Sequence, residues 1–204
     1  MFSTNSLRRA SLVACGLGVG LLVVADVANS QGYGGPYPFG RPPTAAELAE
    51  YDIDVRPDGT GLPAGQGNYA DGKVAFMAIC SLCHGEDLKG GDATKVTFNE
   101  LTPRGDALVG GRGTLTTNSP VKTVESYWPY ATTLFDYIRR AMPFVAPGSL
   151  TDNQVYALVA FILGEAKIIE QSQPMNKDTL WRVQMPNKDG FIADPRPDKV
   201  IWFD

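Results

Sequence analysis

Apolar positions along the chain fall into a few periodic blocks separated by long stretches without rhythm. The strongest block holds Val155, Leu158, Val159, Ile162 and Leu163 at i, i+3, i+4, i+7 and i+8. Thr151-Asp-Asn-Gln154 in front of it is a capping box, so a helix is predicted from Thr151 to about Lys167. A second block runs from Thr133 to Met142, with Leu134, Ile138 and Ala141 on one face and Phe135 with Met142 on the adjoining one. Pro143 stops it, because the residue before a proline is pushed to extended geometry. A third runs from Asp71 to about Leu82, where Val74, Met77 and Ala78 form a stripe widened by Phe76 and Ile79. Thr44-Ala-Ala-Glu47 is another capping box and predicts a short helix to about Tyr51.

The stretches between are distinctive in their own way. Residues 31–67 are rich in Gly and Pro and read as an extended arm with turns. Residues 85–120 carry many glycines, among them Gly110, Gly111 and Gly113, and predict a long structured loop of the kind that wraps a functional group. Residues 169–204 are polar and Pro-rich, a tail packed on the domain or a partner. The expected fold is therefore mostly α, with the helical domain at 68–168 between two irregular arms. No internal repeat is evident.

The first apolar stretch is of another kind. Arg8 and Arg9 precede an apolar run from about Ala10 to Ala28, and Ala28-Asn29-Ser30 ends it with small residues. That order defines a secretory signal peptide over residues 1–30, with Gln31 beginning the mature chain and the periplasm as destination. Asp26 interrupts the run, which makes it short for a lasting membrane span; a retained anchor is the alternative. Leu12-Val-Ala-Cys15 has the look of a lipoprotein box, but the apolar core follows Cys15 instead of preceding it.

Composition narrows the function. The 204 residues are 44% hydrophobic and 20% charged, which excludes wholesale disorder. The net charge is −4, and −5 once Arg8, Arg9 and Asp26 are removed with the signal, so a nucleic-acid partner is not expected. A single histidine excludes chemistry that needs two imidazoles.

The mature chain keeps two cysteines, and they stand in Cys80-Ser-Leu-Cys83-His84. This is C-x-x-C-H, the attachment sequence of haem c: two thiols one helical turn apart add to the vinyl groups, and the following histidine ligates iron. A structural zinc site would need about four ligands, which are lacking. A thioredoxin-like pair should follow a strand, whereas a helix leads into Cys80. A plain disulfide is the remaining rival. With no second histidine, the sixth ligand is expected from a methionine. Met77 lies on the leading helix, which leaves Met142, Met175 and Met185. Met142 has the best setting, between a helix end and Pro143; Met185, also followed by proline, is second, and an open coordination site third. Arg112, Arg139, Arg140, Trp128 and Tyr130 are candidate partners for haem propionates, against a solvated helix face for the two adjacent arginines. No hydrolytic nucleophile is formed, since His84 is committed to iron. Gly110-Gly-Arg-Gly113 lacks the spacing of a dinucleotide fingerprint.

Taken together, Gly72, Phe76, Cys80-x-x-Cys83-His84, Met142-Pro143 and the helix carrying Ala160-Phe161-Ile162 resemble class I cytochrome c. A narrower resemblance rests on Asp54–Pro63, Leu108–Leu115, Tyr127–Pro143 and Met185–Phe191. These segments are similar to the cytochrome subunits that accompany molybdenum sulfite or sulfane dehydrogenases of bacterial sulfur oxidation, in their one-haem form. The resemblance implies a helical fold around one covalent haem c, with Cys80 and Cys83 as anchors and His84 and Met142 as iron ligands. It implies a molybdenum dehydrogenase catalytic subunit as electron donor and a downstream cytochrome or oxidase as acceptor. It also implies a proline carbonyl holding the proximal histidine, for which Pro103 is the candidate. On this reading the chain transfers electrons and is not itself an enzyme; a generic soluble shuttle and a haem-based sensor with a labile sixth site are the alternatives.

Overall fold

The computed structural model describes residues 40–91 and 104–193. The expected signal peptide, most of the first arm's leading half, Pro103 and the end of the tail lie outside the described residues. The chain divides between Asp52 and Ile53 into two units. In the first, helix α1 (Ala45–Tyr51) starts at the expected capping box: Thr44 accepts from the Glu47 N–H, and the Glu47 carboxylate accepts from the Thr44 N–H. Arg41 adds a two-pronged ion pair to Glu47. That pair, with the bonds from Thr44, lowers the Glu47 carboxyl to about 2. No residue of α1 is buried.

The second unit is helical. Its elements are strand β1 (Gln66–Gly67), helix α2 (Tyr69–Ile79), the single turn α3 (Ser81–His84), helix α4 (Ala131–Ala141), helix α5 (Asp152–Glu165), strand β2 (Met175–Asn176) and a 3-10 turn at Leu180–Arg182. Helix α5 is the centre. Every residue from Val155 to Gly164 is buried, so the helix is covered all round and not along one stripe as its periodicity suggested. Full burial is worth about 1.5–3 kcal/mol for each of its large apolar side chains.

Helix α2 crosses α5 at glycine. A Cβ on Gly72 would stand 1.9 Å from the Ala157 carbonyl oxygen and 2.8 Å from the Phe161 Cβ, so only hydrogen fits there. Around the crossing, Phe161 packs against both Tyr69 and Phe76 with ring centroids 5.2 Å apart. This corrects the expected face of α2. Val74 and Met77 are exposed, and the inward stripe is Gly72, Ala75, Phe76, Ile79 and Cys80. The period was right and the phase was wrong, because Gly72 carries no hydrophobic signal. The helix also starts earlier than its apolar residues suggest, since Asn68 caps it by accepting from the Asp71 N–H.

Both irregular segments contribute to the core. Val55 donates its N–H to Asp136, and the Tyr156 hydroxyl donates to the Pro63 carbonyl. On the other side, β2 pairs antiparallel with β1, Gln66 opposite Asn176 and Gly67 opposite Met175. Met175, Leu180 and Met185 belong to the main core cluster. The tail therefore supplies core side chains, which its polar composition conceals.

One substitution tests the crossing. Gly72→Ala should cost more than the ~1–3 kcal/mol of ordinary overpacking, because the obstacle is backbone and cannot rotate away. Urea unfolding of the haem-loaded protein would measure it, and an unchanged midpoint would contradict the crossing geometry.

Candidate haem site

The three residues of the C-x-x-C-H motif are delivered by a break in the helix. α2 ends at Ile79, Cys80 acts as cap between two helices, and α3 makes one further turn to His84. Gly85 leaves it with a φ of 76°, in the left-handed region that glycine tolerates. The chain then folds back on the motif: the Gly90 N–H donates to the His84 carbonyl and the Gly105 N–H donates to the Cys83 carbonyl. The long loop predicted over 85–120 thus begins as a bracket around the motif.

Both thiols are free, so the disulfide reading does not hold. Burial, reinforced by the neighbouring Cys83, pushes the Cys80 thiol up to about 11. Among the described residues no cluster of three or more His, Cys, Asp or Glu side chains is placed to hold a metal ion.

His84 is oriented by the backbone. Its Nδ1 lies 2.8 Å from the Asp106 carbonyl oxygen. A carbonyl only accepts, so Nδ1 carries the hydrogen and Nε2 keeps a free lone pair. Pro103, the candidate for this role in the sequence, lies outside the described residues. Gly105 makes the approach possible, since a Cβ there would sit 2.6 Å from the His84 Nδ1.

Cys80, Cys83, His84 and Met142 line a single cleft of about 430 Å³. Its apolar walls come from three helices: Phe76 from α2, Leu134 and Ile138 from α4, and Leu158 and Ile162 from α5. Met142 closes α4 as its C-cap with extended backbone, φ −119° and ψ 149°. It is the one methionine among the described residues that lines this cleft. Met175 and Met185 are buried in the core at 0% and 4% exposure, and Met77 lies on the outer side of α2.

The propionate candidates separate cleanly. Trp128 lines the cleft. Arg112 is engaged by Glu125 and the Ala166 carbonyl, Arg139 by Asp152 and the Ile53 carbonyl, and Arg140 by Asp54 and Asp136. None of the three lines the cleft, nor does Tyr130. The cations that do are Arg104 and Lys122, with Tyr137 packed edge-on against Trp128 at 5.7 Å. Sequence reasoning missed them, because nothing in their local pattern differs from an ordinary loop cation.

An apolar cleft with two adjacent thiols, a histidine held in one tautomer and a thioether on another wall suits a covalently attached haem c. The residues present fit the group. When bound, haem c supplies a one-electron iron couple. The chain's own part is to exclude water with its helical walls and to hold the His84 ring through Asp106.

The glycine beside the imidazole can be tested directly. Gly105→Ala should force the His84 ring away from the Asp106 carbonyl and destabilise the haem-loaded protein by about 1–3 kcal/mol. Thermal unfolding and the electron paramagnetic resonance spectrum of the oxidised protein would register both effects; an unaltered spectrum would contradict the contact.

Residues 69–165 match the cytochrome c family. Among solved structures, the chain is similar to the sulfane dehydrogenase SoxCD from Paracoccus pantotrophus, with 36% identity and a TM-score of 0.68. That likeness covers 78% of this chain and 73% of the other. No curated protein matches the chain significantly. The fold, the motif and these likenesses agree, and the chain belongs to the cytochrome c family, an electron-transfer protein whose cofactor is covalently bound haem c.

Proposed function

We propose that the chain is the periplasmic one-haem cytochrome subunit of a molybdenum sulfite or sulfane dehydrogenase. It accepts electrons from the catalytic subunit and passes them to a downstream cytochrome or oxidase of the respiratory chain. The observation that carries the reading is the extent of the likeness to SoxCD. It covers 78% of the chain, well beyond the cytochrome c match at 69–165, so the flanking segments share in it. A general electron shuttle needs only the haem domain. A likeness that extends past the haem domain suits a chain shaped for one partner.

Within this reading Cys80 and Cys83 would anchor the haem, and His84 and Met142 would ligate its iron. His84 offers Nε2 because Asp106 holds the other nitrogen. Met142 is the methionine placed on the same cleft. Methionine ligation raises the potential, which favours acceptance from a dehydrogenase. The oxidation of a sulfite-like substrate releases two electrons, whereas a chain with one C-x-x-C-H motif carries one. The acceptor must therefore reoxidise it twice per substrate. The N-terminal segment acts as a cleaved export signal, which brings the chain to the compartment of that chemistry.

Met142→Ala should leave the haem attached while lowering the reduction potential by at least ~0.1 V, a modest part of the ≈0.8 V that axial ligands span. It should also open the iron to carbon monoxide. Wild-type protein that already binds carbon monoxide would favour the sensor reading instead, and an unchanged potential in the variant would remove Met142 as ligand. The partner is tested separately, by gentle purification from the periplasmic fraction. A co-eluting molybdenum polypeptide that reduces the haem when sulfite or thiosulfate is added is the expected outcome. A lone cytochrome reduced by neither would reduce the reading to a general carrier.

A further inference from the structure

A second cleft, of about 350 Å³, shares no lining residue with the haem cleft. It opens on the start of α4, where the cap residue Tyr130 and the first helical residues Ala131 and Thr132 all line it. No side chain caps that helix start. Its leading N–H groups and the positive end of the helix dipole are therefore left for something outside the helix. Thr132 is 1% exposed, and its hydroxyl is buried without a hydrogen-bond partner among the described residues. Buried hydroxyls are nearly always satisfied, so an orphan beside a cavity points to a missing partner.

The rest of the lining sets two cations and one carboxylate among neutral residues. Arg182 and Lys188 both line the cleft, and neither forms a salt bridge among the described residues. Arg182 is steadied over the Trp181 ring at 4.8 Å, and Lys188 donates to Gln184 at 3.3 Å. Trp181 in turn is seated on Gly59, where a Cβ would come within 2.9 Å of the indole. The one acidic lining residue, Asp58, accepts from the Thr60 N–H across its own turn.

We propose that this cleft binds a small oxoanion of the sulfate or phosphate class. Helix N–H groups and the Thr132 hydroxyl donate to its oxygens, and Arg182 and Lys188 balance its charge. The site involves none of the haem-cleft residues and stands whether or not the assigned electron donor is right.

The test uses the mature, haem-loaded protein in its reduced state, followed by amide nuclear magnetic resonance. Inorganic sulfate and inorganic phosphate are titrated separately, against chloride at matched ionic strength. Saturable shifts at the amides of Ala131, Thr132 and Thr133 are expected with the oxoanions and not with chloride. Lys188→Gln and Arg182→Gln, both at exposed positions, should each weaken binding about tenfold, the usual worth of one charge-assisted contact. Thr132→Val should weaken it as well while leaving the haem spectrum unchanged. Shifts that fail to saturate, that chloride reproduces, or that survive the double Arg182→Gln/Lys188→Gln variant would overturn the site.

Discussion

Hydrogen in place of a side chain at Gly72 is the constraint on which the structure rests. It lets α2 lie against α5 with the Ala157 carbonyl in direct contact, closer than any Cβ would permit. That approach brings Phe161 between Tyr69 and Phe76, and it fixes the direction in which α2 runs. The direction matters because the cysteines stand at the end of α2. A helix held off α5 by one methyl group would point Cys80, Cys83 and His84 elsewhere. The placement of the cysteines is thus set about two helical turns before them.

A second layer of positioning is made of backbone. The loop after His84 returns so that the Gly105 N–H meets the Cys83 carbonyl and the Asp106 carbonyl meets the His84 ring. Neither contact depends on what Asp106 carries as a side chain. Imidazole orientation by a main-chain carbonyl does not depend on the identity of any neighbouring side chain. The helical walls complete the arrangement by keeping water from the cleft. A dry, rigid surround is what an electron carrier needs from its protein.

What the sequence made legible follows from which interactions involve side chains of recognisable type. α5 was readable because its cap and its apolar repeat are both side-chain signals. Cys80, Cys83, His84 and Met142 stood out because thiols, imidazole and thioether are few in this chain, and the structure brings all four to one cleft. The phase of α2 was misread because its most tightly packed residue is a glycine, and the repeat was counted from Val74, which faces solvent. Asp106 was missed because a carbonyl belongs to every residue. Met175, Leu180 and Met185 were hidden as isolated apolar residues in a polar tail, where no period forms. The arginines stayed open candidates in the sequence because charge alone does not say whether Glu125, Asp152 or Asp54 has already taken it.

The two-residue pairing of β1 with β2 is slight in itself, but it joins points far apart in the chain. Gln66 precedes α2, whereas Asn176 follows α5, so all the helices of the second unit lie within the loop that the pairing closes. Contacts of such long sequence separation form late and slow the approach to the native state, in contrast with the local hydrogen bonds of helices. Without the tail, the side of the core filled by Met175, Leu180 and Met185 would stand open, so the segment that closes this longest of loops is also the one that completes the interior.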